Sequence, residues 1–584
     1  MKYQPAVAGH AFNRDFPHQL LRTIATLTLA SAAAFLSIFS AGHGESAERG
    51  SVPNILLILA DDMGFSDLGC YGGEIETPHL DALAAGGLRF TQFYNSARCC
   101  PTRAALLTGL YPHQAGIGHM VGNDGIASYQ GYLNDRCLTL AEAVKGAGYA
   151  TLAVGKWHVG SAPGQWPLDR GFDRFWGTPT GGGVYFKDTL QIRKEVFFVD
   201  GQERIEPPDD LYVTDTFTDR ALGFLDQAAT QGDRPFFLYF GHIAPHWPLQ
   251  AKPADIDKYR GRYEIGWDAV RQRRLARQQQ LGIVPPDTAL SPRDPQARAW
   301  SEMPDESRRE LAYRMAVYAA QIDCIDQNVG RLVAKLKELN QFDNTLILFL
   351  SDNGCSAEGG PGGFSRGHPG APIGTGLSYA SAGLEWANAC DTPFRKYKMD
   401  TYQGGIATPL IAHWPAGIAA RGELRHEPGH IIDVMPTLVG LAGATYPAKF
   451  RGNSILPPEG RSLAPIFGAS GGPASARVLC WEHQGNKAIR QGDWKAVAQG
   501  RGAWELFDLK TDRTETRDIA AQHPEKIREL ADLWQAWAAR CGVWDWDDLQ
   551  QHRRDRTKTK SKEKPARKSA DVDREAFPAL RSEQ

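Results

Sequence analysis

Four short apolar runs, each ending in polar or charged residues, most constrain what this chain can fold into. Ile55–Leu59 runs into Ala60-Asp61-Asp62, and Ala150–Val154 into Gly155-Lys156-Trp157-His158. Phe236–Phe240 runs into Gly241 through His246, and Leu346–Leu350 into Ser351-Asp352-Asn353. Each run is about five residues long and almost wholly apolar, with helical patterns between, which predicts strands buried on both faces of a mainly parallel sheet. Such sheets collect their sites at the carboxyl ends of the strands, where these polar groups fall.

Helices fill the intervals. Thr139 and Glu142 have capping-box spacing ahead of a helix ending near Gly146. Val329, Leu332, Val333 and Leu336 form the i, i+3, i+4, i+7 stripe of a long helix. A charged, helical excursion is expected between Tyr259 and Arg309, and a Gly/Pro-rich loop from Gly359 to Gly376. A chain of 584 residues exceeds one ordinary domain, and its texture changes near Ser470. Residues 51–470 read as the α/β domain. Residues 471–545 read as a small antiparallel sheet, with short strands at Val478–Trp481, Lys487–Arg490, Trp494–Val497 and Trp504–Leu509. A helix follows that presents Ile527, Leu530, Trp534 and Trp537 on one face. Residues 546–584 are polar and basic, with nine Lys and Arg against two Asp and Glu between His552 and Lys568. They are expected to form a solvated, disordered tail; attraction to an anionic polymer is the competing reading.

At the other end, Arg14 and Arg22 precede an apolar stretch, Thr23 to Phe39, that gives way to small residues. This is the order of a secretory signal, covering about residues 1–47. A retained membrane anchor competes, but the stretch is short and interrupted by Thr and Ser. The mature protein is therefore expected to be exported, periplasmic or secreted, without a membrane segment. A formal net charge of -2 gives no whole-molecule attraction to nucleic acid or anionic membrane. The nine cysteines are scattered without zinc spacing; export permits one or two disulfides, and the pairing stays open.

The chemistry concentrates in a few segments. Cys99-Cys100-Pro101-Thr102-Arg103-Ala-Ala-Leu-Leu-Thr-Gly sets Pro101 in the first turn of a helix and Cys99 at its entrance, where free N–H groups favour negative charge. Taken alone, this also describes an ordinary buried cysteine. Asp61, Asp62, Asp352 and Asn353 offer oxygen ligands only, which favours a hard cation, calcium or magnesium. Adjacent acids alone are often turn formers; two pairs closing apolar strands argue for metal. Lys156 and His158 stand two apart, so an extended backbone turns both to one face.

The segment Cys-x-Pro-Thr-Arg followed by Leu-Thr-Gly resembles the signature of type I sulfatases, whose cysteine is converted to formylglycine. The likeness runs from Pro53 to Val543 and is closest to the arylsulfatase branch. It implies an alkaline-phosphatase-like α/β fold, a large mixed, mainly parallel sheet flanked by helices, with a smaller C-terminal α+β domain. It also implies that Cys99, rather than Cys100, is modified by a formylglycine-generating maturation enzyme. One calcium ion would be bound by Asp61, Asp62, Asp352 and Asn353 together with the modified Cys99. By the same resemblance Arg103 and Lys156 hold the formylglycine and sulfate oxygens, and His158 is the base. His246 and Lys398 bind sulfate and help protonate the leaving oxygen. Lys398 is preferred to Lys396 because it stands five residues before Gln403-Gly404-Gly405, and the spacing of His242 does not match. The chain departs from the family pattern at Leu110, where Arg is common, and at Gln403, where Glu is usual. The implied activity is hydrolysis of a small-molecule or carbohydrate sulfate monoester to an alcohol or phenol plus sulfate. The alternatives are a phosphomonoester or phosphonate hydrolase using the same aldehyde, and a silent glycan-binding homologue.

Overall fold

The computed structural model describes residues 52–468 and 477–563; residues 1–47, expected to be a secretory signal, and the end of the expected basic tail, residues 564–584, lie outside the described residues. Strands β1 (Asn54–Asp61), β2 (Leu88–Tyr94), β3 (Ala150–Lys156), β4 (Arg174–Thr178), β5 (Phe198–Asp200), β6 (Glu203–Ile205), β7 (Phe236–Pro245) and β8 (Thr345–Ser351) come first. A small ribbon of β9 (Ser365–Gly367) and β10 (Ser378–Ala380) precedes β11 (Ala407–His413), β12 (Glu423–Arg425) and β13 (Gly429–His430). Apart from the ribbon, these strands build one 11-stranded sheet in the order β12-β2-β11-β8-β1-β7-β3-β4-β5-β6, with β13 also on β2.

The four apolar runs are β1, β3, β7 and β8. They lie side by side at the centre of the sheet as β8-β1-β7-β3, all parallel. Every residue of each is buried. The reason is visible along β1, where alternate side chains feed opposite layers. Leu56 and Ile58 join a core with helix α3 (Val213–Ala229) and helix α4 (Asp305–Glu338), through Phe217, Leu225, Ile322 and Leu332. Ile55, Leu57 and Leu59 join a second core with α1 (Cys99–Thr108) and α2 (Leu140–Lys145), through Leu106, Leu107, Leu140 and Val144. The entrance to α2 is a reciprocal capping box. Glu142 N donates to Thr139 Oγ1 at 3.1 Å, and Thr139 N donates to Glu142 Oε2 at 2.8 Å. In α4 the stripe residues Val329, Leu332 and Leu336 are fully buried.

A hairpin of β14 (Lys449–Phe450) and β15 (Asn453–Ser454) leads toward the small antiparallel sheet β16-β17-β18-β19, formed by Val478–His483, Asn486–Gln491, Trp494–Ala498 and Glu505–Asp508. Helix α5 (Pro524–Cys541) covers it with Leu530, Trp534 and Trp537. Trp481 Nε1 donates to Asn95 O of the large domain at 2.8 Å. Large and small sheets belong to one compact unit.

Two features differ from the sequence reading. The basic C-terminal segment begins as a helix, α6 (Trp546–Glu563). Leu549 is buried, Trp546 packs against His119, and Arg553 pairs with Asp124 at 2.7 Å, so local anchors outweigh a composition that looks like a solvated tail. The nine cysteines are all buried and all free, so the one or two disulfides that export permits are not formed.

Candidate active site

Four central strands end at one place. Asp61 closes β1 and Asp62 follows in a left-handed turn (φ 66°), a conformation Asp tolerates better than most residues. Lys156 closes β3, and His158 follows two residues later, also left-handed (φ 57°). Asp352 and Asn353 follow β8, and His246 follows β7. Lys398 arrives from the loop before Gln403 and is anchored by its own N–H to Cys355 O at 3.1 Å. All of these residues are buried.

The acids form a tight group. Asn353 Nδ2 donates to Asp62 Oδ1 at 2.7 Å, and Asp62 N donates to Asp352 Oδ1 at 3.3 Å. Lys156 Nζ lies 2.5 Å from Asp61 Oδ2, and Lys398 Nζ 2.9 Å from Asp62 Oδ2. Arg103 donates to Asp352 Oδ2 through Nε at 3.0 Å and Nη2 at 2.8 Å. Its Nη1 donates to Lys156 O and to the Tyr239 hydroxyl. Two oxygens, Asp61 Oδ1 and Asn353 Oδ1, are buried with no hydrogen-bond partner among the described residues. Burial, followed by the nearby charge of Asp352, pushes the Asp61 carboxyl up to about 7. Unpartnered oxygens within an all-oxygen donor set, beside a carboxyl that burial and Asp352 raise despite its contact with Lys156, are the arrangement a hard divalent cation satisfies.

Cys99 stands at the head of α1, whose ten residues are all buried. Its sulfur, that of Cys100 and a ring nitrogen of His158 lie within 4.8 Å of one another. A hydrogen bond from Cys100 draws the Cys99 thiol well below its ordinary range against the effect of burial, helped by Lys156 and His158. Burial lowers His158 to about 4, so its ring is neutral near pH 7 and able to accept a proton. His246 Nε2 lies 3.6 Å from Asp62 Oδ2 and 3.4 Å from Lys398 Nζ. The ten residues singled out in the sequence thus converge on one buried cluster.

The rivals point elsewhere. Lys396 pairs with Asp294 at 3.2 Å. His242 contributes its carbonyl to Arg103 at 3.4 Å, while its ring nitrogens have no partner among the described residues. The sequence reading passed over Glu358, Arg98, Trp247 and Tyr239. Glu358 accepts from Lys398 Nζ at 2.9 Å and from Trp247 Nε1 at 2.7 Å, and lies 3.6 Å from Arg98. Its position five residues after Asn353, at the mouth of the glycine-rich loop, is the only signal the sequence carries for it.

Residues 53–444 match the family model described as Sulfatase. A sulfatase of Schizosaccharomyces pombe is 34% identical over 84% of this chain and 94% of its own length. The arylsulfatase of Klebsiella aerogenes is 36% identical over 75% of this chain and 96% of its own. The crystal structure of Ps i-CgsB in complex with k-i-k-neocarrahexaose superposes with a TM-score of 0.63 at 26% identity, covering 83% of this chain and 92% of that one. With the family model matched over residues 53–444 and relatives 34% and 36% identical over nearly their whole length, the chain belongs to the sulfatase family, the hydrolases of sulfate esters.

Proposed function

We propose that this protein is an exported, calcium-dependent sulfatase of arylsulfatase type whose nucleophile is formylglycine made from Cys99. The observation that carries the proposal is the position of Cys99, on a buried helix entrance among Lys156, His158 and Arg103, next to oxygens that lack partners. Asp61, Asp62, Asp352 and Asn353 would hold the calcium ion, with the modified side chain at position 99 completing the set. When bound, the ion supplies positive charge that polarises the sulfate and favours the ionised hydrate. An aldehyde hydrate at position 99 supplies one hydroxyl to attack sulfur and a second whose deprotonation releases sulfate and restores the aldehyde.

The protein's own groups do the rest. Arg103, locked to Asp352 and Tyr239, and Lys156, locked to Asp61, orient position 99 and face the sulfate oxygens with fixed positive charge. Neutral His158 takes the proton of the second hydroxyl. Lys398 and His246, in contact with each other, bind the sulfate and deliver a proton to the ester oxygen as it leaves. The leaving group is an alcohol or phenol, small or part of a carbohydrate; the neighbour solved with neocarrahexaose supports a saccharide.

Peptide mass analysis of the Cys99 segment, after expression with a maturation enzyme, tests the nucleophile: an aldehyde is expected, and an intact thiol in active enzyme sinks the reading. Matched aryl sulfate and aryl phosphate esters test the reaction class, with the sulfate expected to turn over faster.

A further inference from the structure

We propose that Glu358 is a positioning residue for leaving-group protonation, fixing the ammonium of Lys398 against the departing ester oxygen. The inference rests on the role given above to Lys398 and names the residue that makes the role possible.

Lys398 Nζ has two carboxylate partners at the same distance, Asp62 Oδ2 and Glu358 Oε2, each at 2.9 Å. They differ in every other respect. Asp62 is also bonded to Asn353 at 2.7 Å and belongs to the oxygen set assigned to the cation. Glu358 has no part in that set. Its Oε2 accepts from Trp247 Nε1 at 2.7 Å and from Ser356 Oγ at 3.0 Å, and its Oε1 lies 3.6 Å from Arg98 Nη2. Trp247 follows His246, Arg98 precedes Cys99, and Lys398 N donates to Cys355 O at 3.1 Å. One carboxylate therefore ties together the chain segments carrying the nucleophile, the imidazole and the ammonium.

The surroundings keep it charged. Burial works to raise the Glu358 carboxyl, but Lys398, Arg98 and His246 outweigh it and hold the group below the ordinary carboxylate range. Its side chain is 22% exposed against 2% for Lys398, so Glu358 sits on the outer side of the ammonium. An ammonium clamped between two carboxylates has little rotational freedom, and its remaining N–H is left to the side of His246, whose Nε2 lies 3.4 Å away, the pair given the leaving oxygen. As the S–O bond breaks, its electron pair goes to the ester oxygen, which takes a proton from Lys398. Lys398 recovers a proton from water, and Glu358 stays ionised throughout. Loss of Glu358 removes the outer clamp and leaves the ammonium with Asp62 and the longer contact to His246, free to turn.

A proton donor matters most when the leaving group is poor. The test compares phenyl sulfate, which leaves as a basic phenolate, with 4-nitrophenyl sulfate, which needs little help. Glu358→Gln keeps the shape of the side chain and removes its charge. Its loss of kcat/KM on phenyl sulfate is expected to exceed its loss on 4-nitrophenyl sulfate by roughly tenfold or more. Lys398→Ala is expected to show the same selectivity, and Glu358→Gln to add little in the Lys398→Ala background. Equal losses on both esters in Glu358→Gln, with selective losses in Lys398→Ala, overturn the inference alone. Unselective losses in Lys398→Ala overturn the role given to the lysine and the inference with it.

Discussion

Arg103 spends two donors on one oxygen of Asp352: Nε and Nη2 both reach Oδ2, at 3.0 and 2.8 Å, with both side chains wholly buried. The second oxygen, Oδ1, remains on the side of Asp62 N. One carboxylate is thereby divided between holding a guanidinium and facing the acid cluster. Breaking a buried pair leaves an uncompensated charge, which costs about 3–5 kcal/mol. Arg103→Met is expected to lower the midpoint of denaturant unfolding accordingly and to abolish sulfate release. Arg103→Lys keeps the charge but loses the fork, so it should recover stability better than turnover.

Cation binding stabilises only the folded protein, by about 2.7 kcal/mol at a hundred times Kd. Calcium is expected to raise the melting temperature of the wild type, and a chelator to reverse the rise. Asp62→Asn weakens the site and should melt at the same temperature in both. A variant that still responds fully to calcium would place the cation elsewhere.

The pair Lys495–Glu515 lies far along the chain but bears on the same loop. Its atoms are 2.5 Å apart and fully buried, and Glu515 Oε2 also accepts from Gln403 N at 2.6 Å. Glu515→Gln strands the lysine, with an expected cost of about 3–5 kcal/mol in urea unfolding. Replacing both residues, Lys495→Met with Glu515→Leu, should cost less than the single change.

Asp326 gives a pH dependence whose sign can be worked out. It accepts from the backbone of His79 at 3.1 Å and Leu80 at 2.7 Å, yet burial raises its carboxyl from 3.8 to about 7. The folded state then holds the proton more tightly than the unfolded state. Its contribution to stability is fully present below pH 4 and is lost as the pH rises through about 7. Between these limits the wild type should lose stability relative to Asp326→Asn, measured by denaturant unfolding across the range.

Two glycines should respond in opposite ways to alanine. Gly223, within α3, has no atom within 4 Å of an added Cβ, so Gly223→Ala is expected to stabilise by about 0.5–1 kcal/mol. Gly155 has φ +102° and would set its Cβ 2.0 Å from Gly241 O, directly before Lys156. Gly155→Ala should lower the melting temperature and activity together.

The central sheet and the acid cluster were legible because period and polarity change together at each strand end. At five residues Ile55–Leu59 is short for a helix and suits a strand buried on both faces, and the acids that follow it then fall at the strand's carboxyl end. The motif around Cys99 and the spacing from Lys398 to Gln403 carried family memory that no hydrophobic pattern contains. Glu358 was illegible because an isolated Glu at the start of a glycine-rich loop looks like any solvated acid; only the fold brings Lys398 and Trp247 to it. Helix α6 was hidden for the opposite reason. Its basic composition speaks for solvent, while two of the residues that anchor it, Trp546 and Leu549, leave little trace in an average.

The burial of all ten residues of α1 sets a timetable. Asp62 and Asp352 meet across 290 positions of sequence, so the pocket around Cys99 closes only after most of the polypeptide exists. Once it has closed, no second protein can reach the sulfur. The oxidation proposed for Cys99 would therefore have to precede that closure, while the helix is still a loose segment. Conditions that hasten folding should compete with maturation and leave a well-formed but inert product.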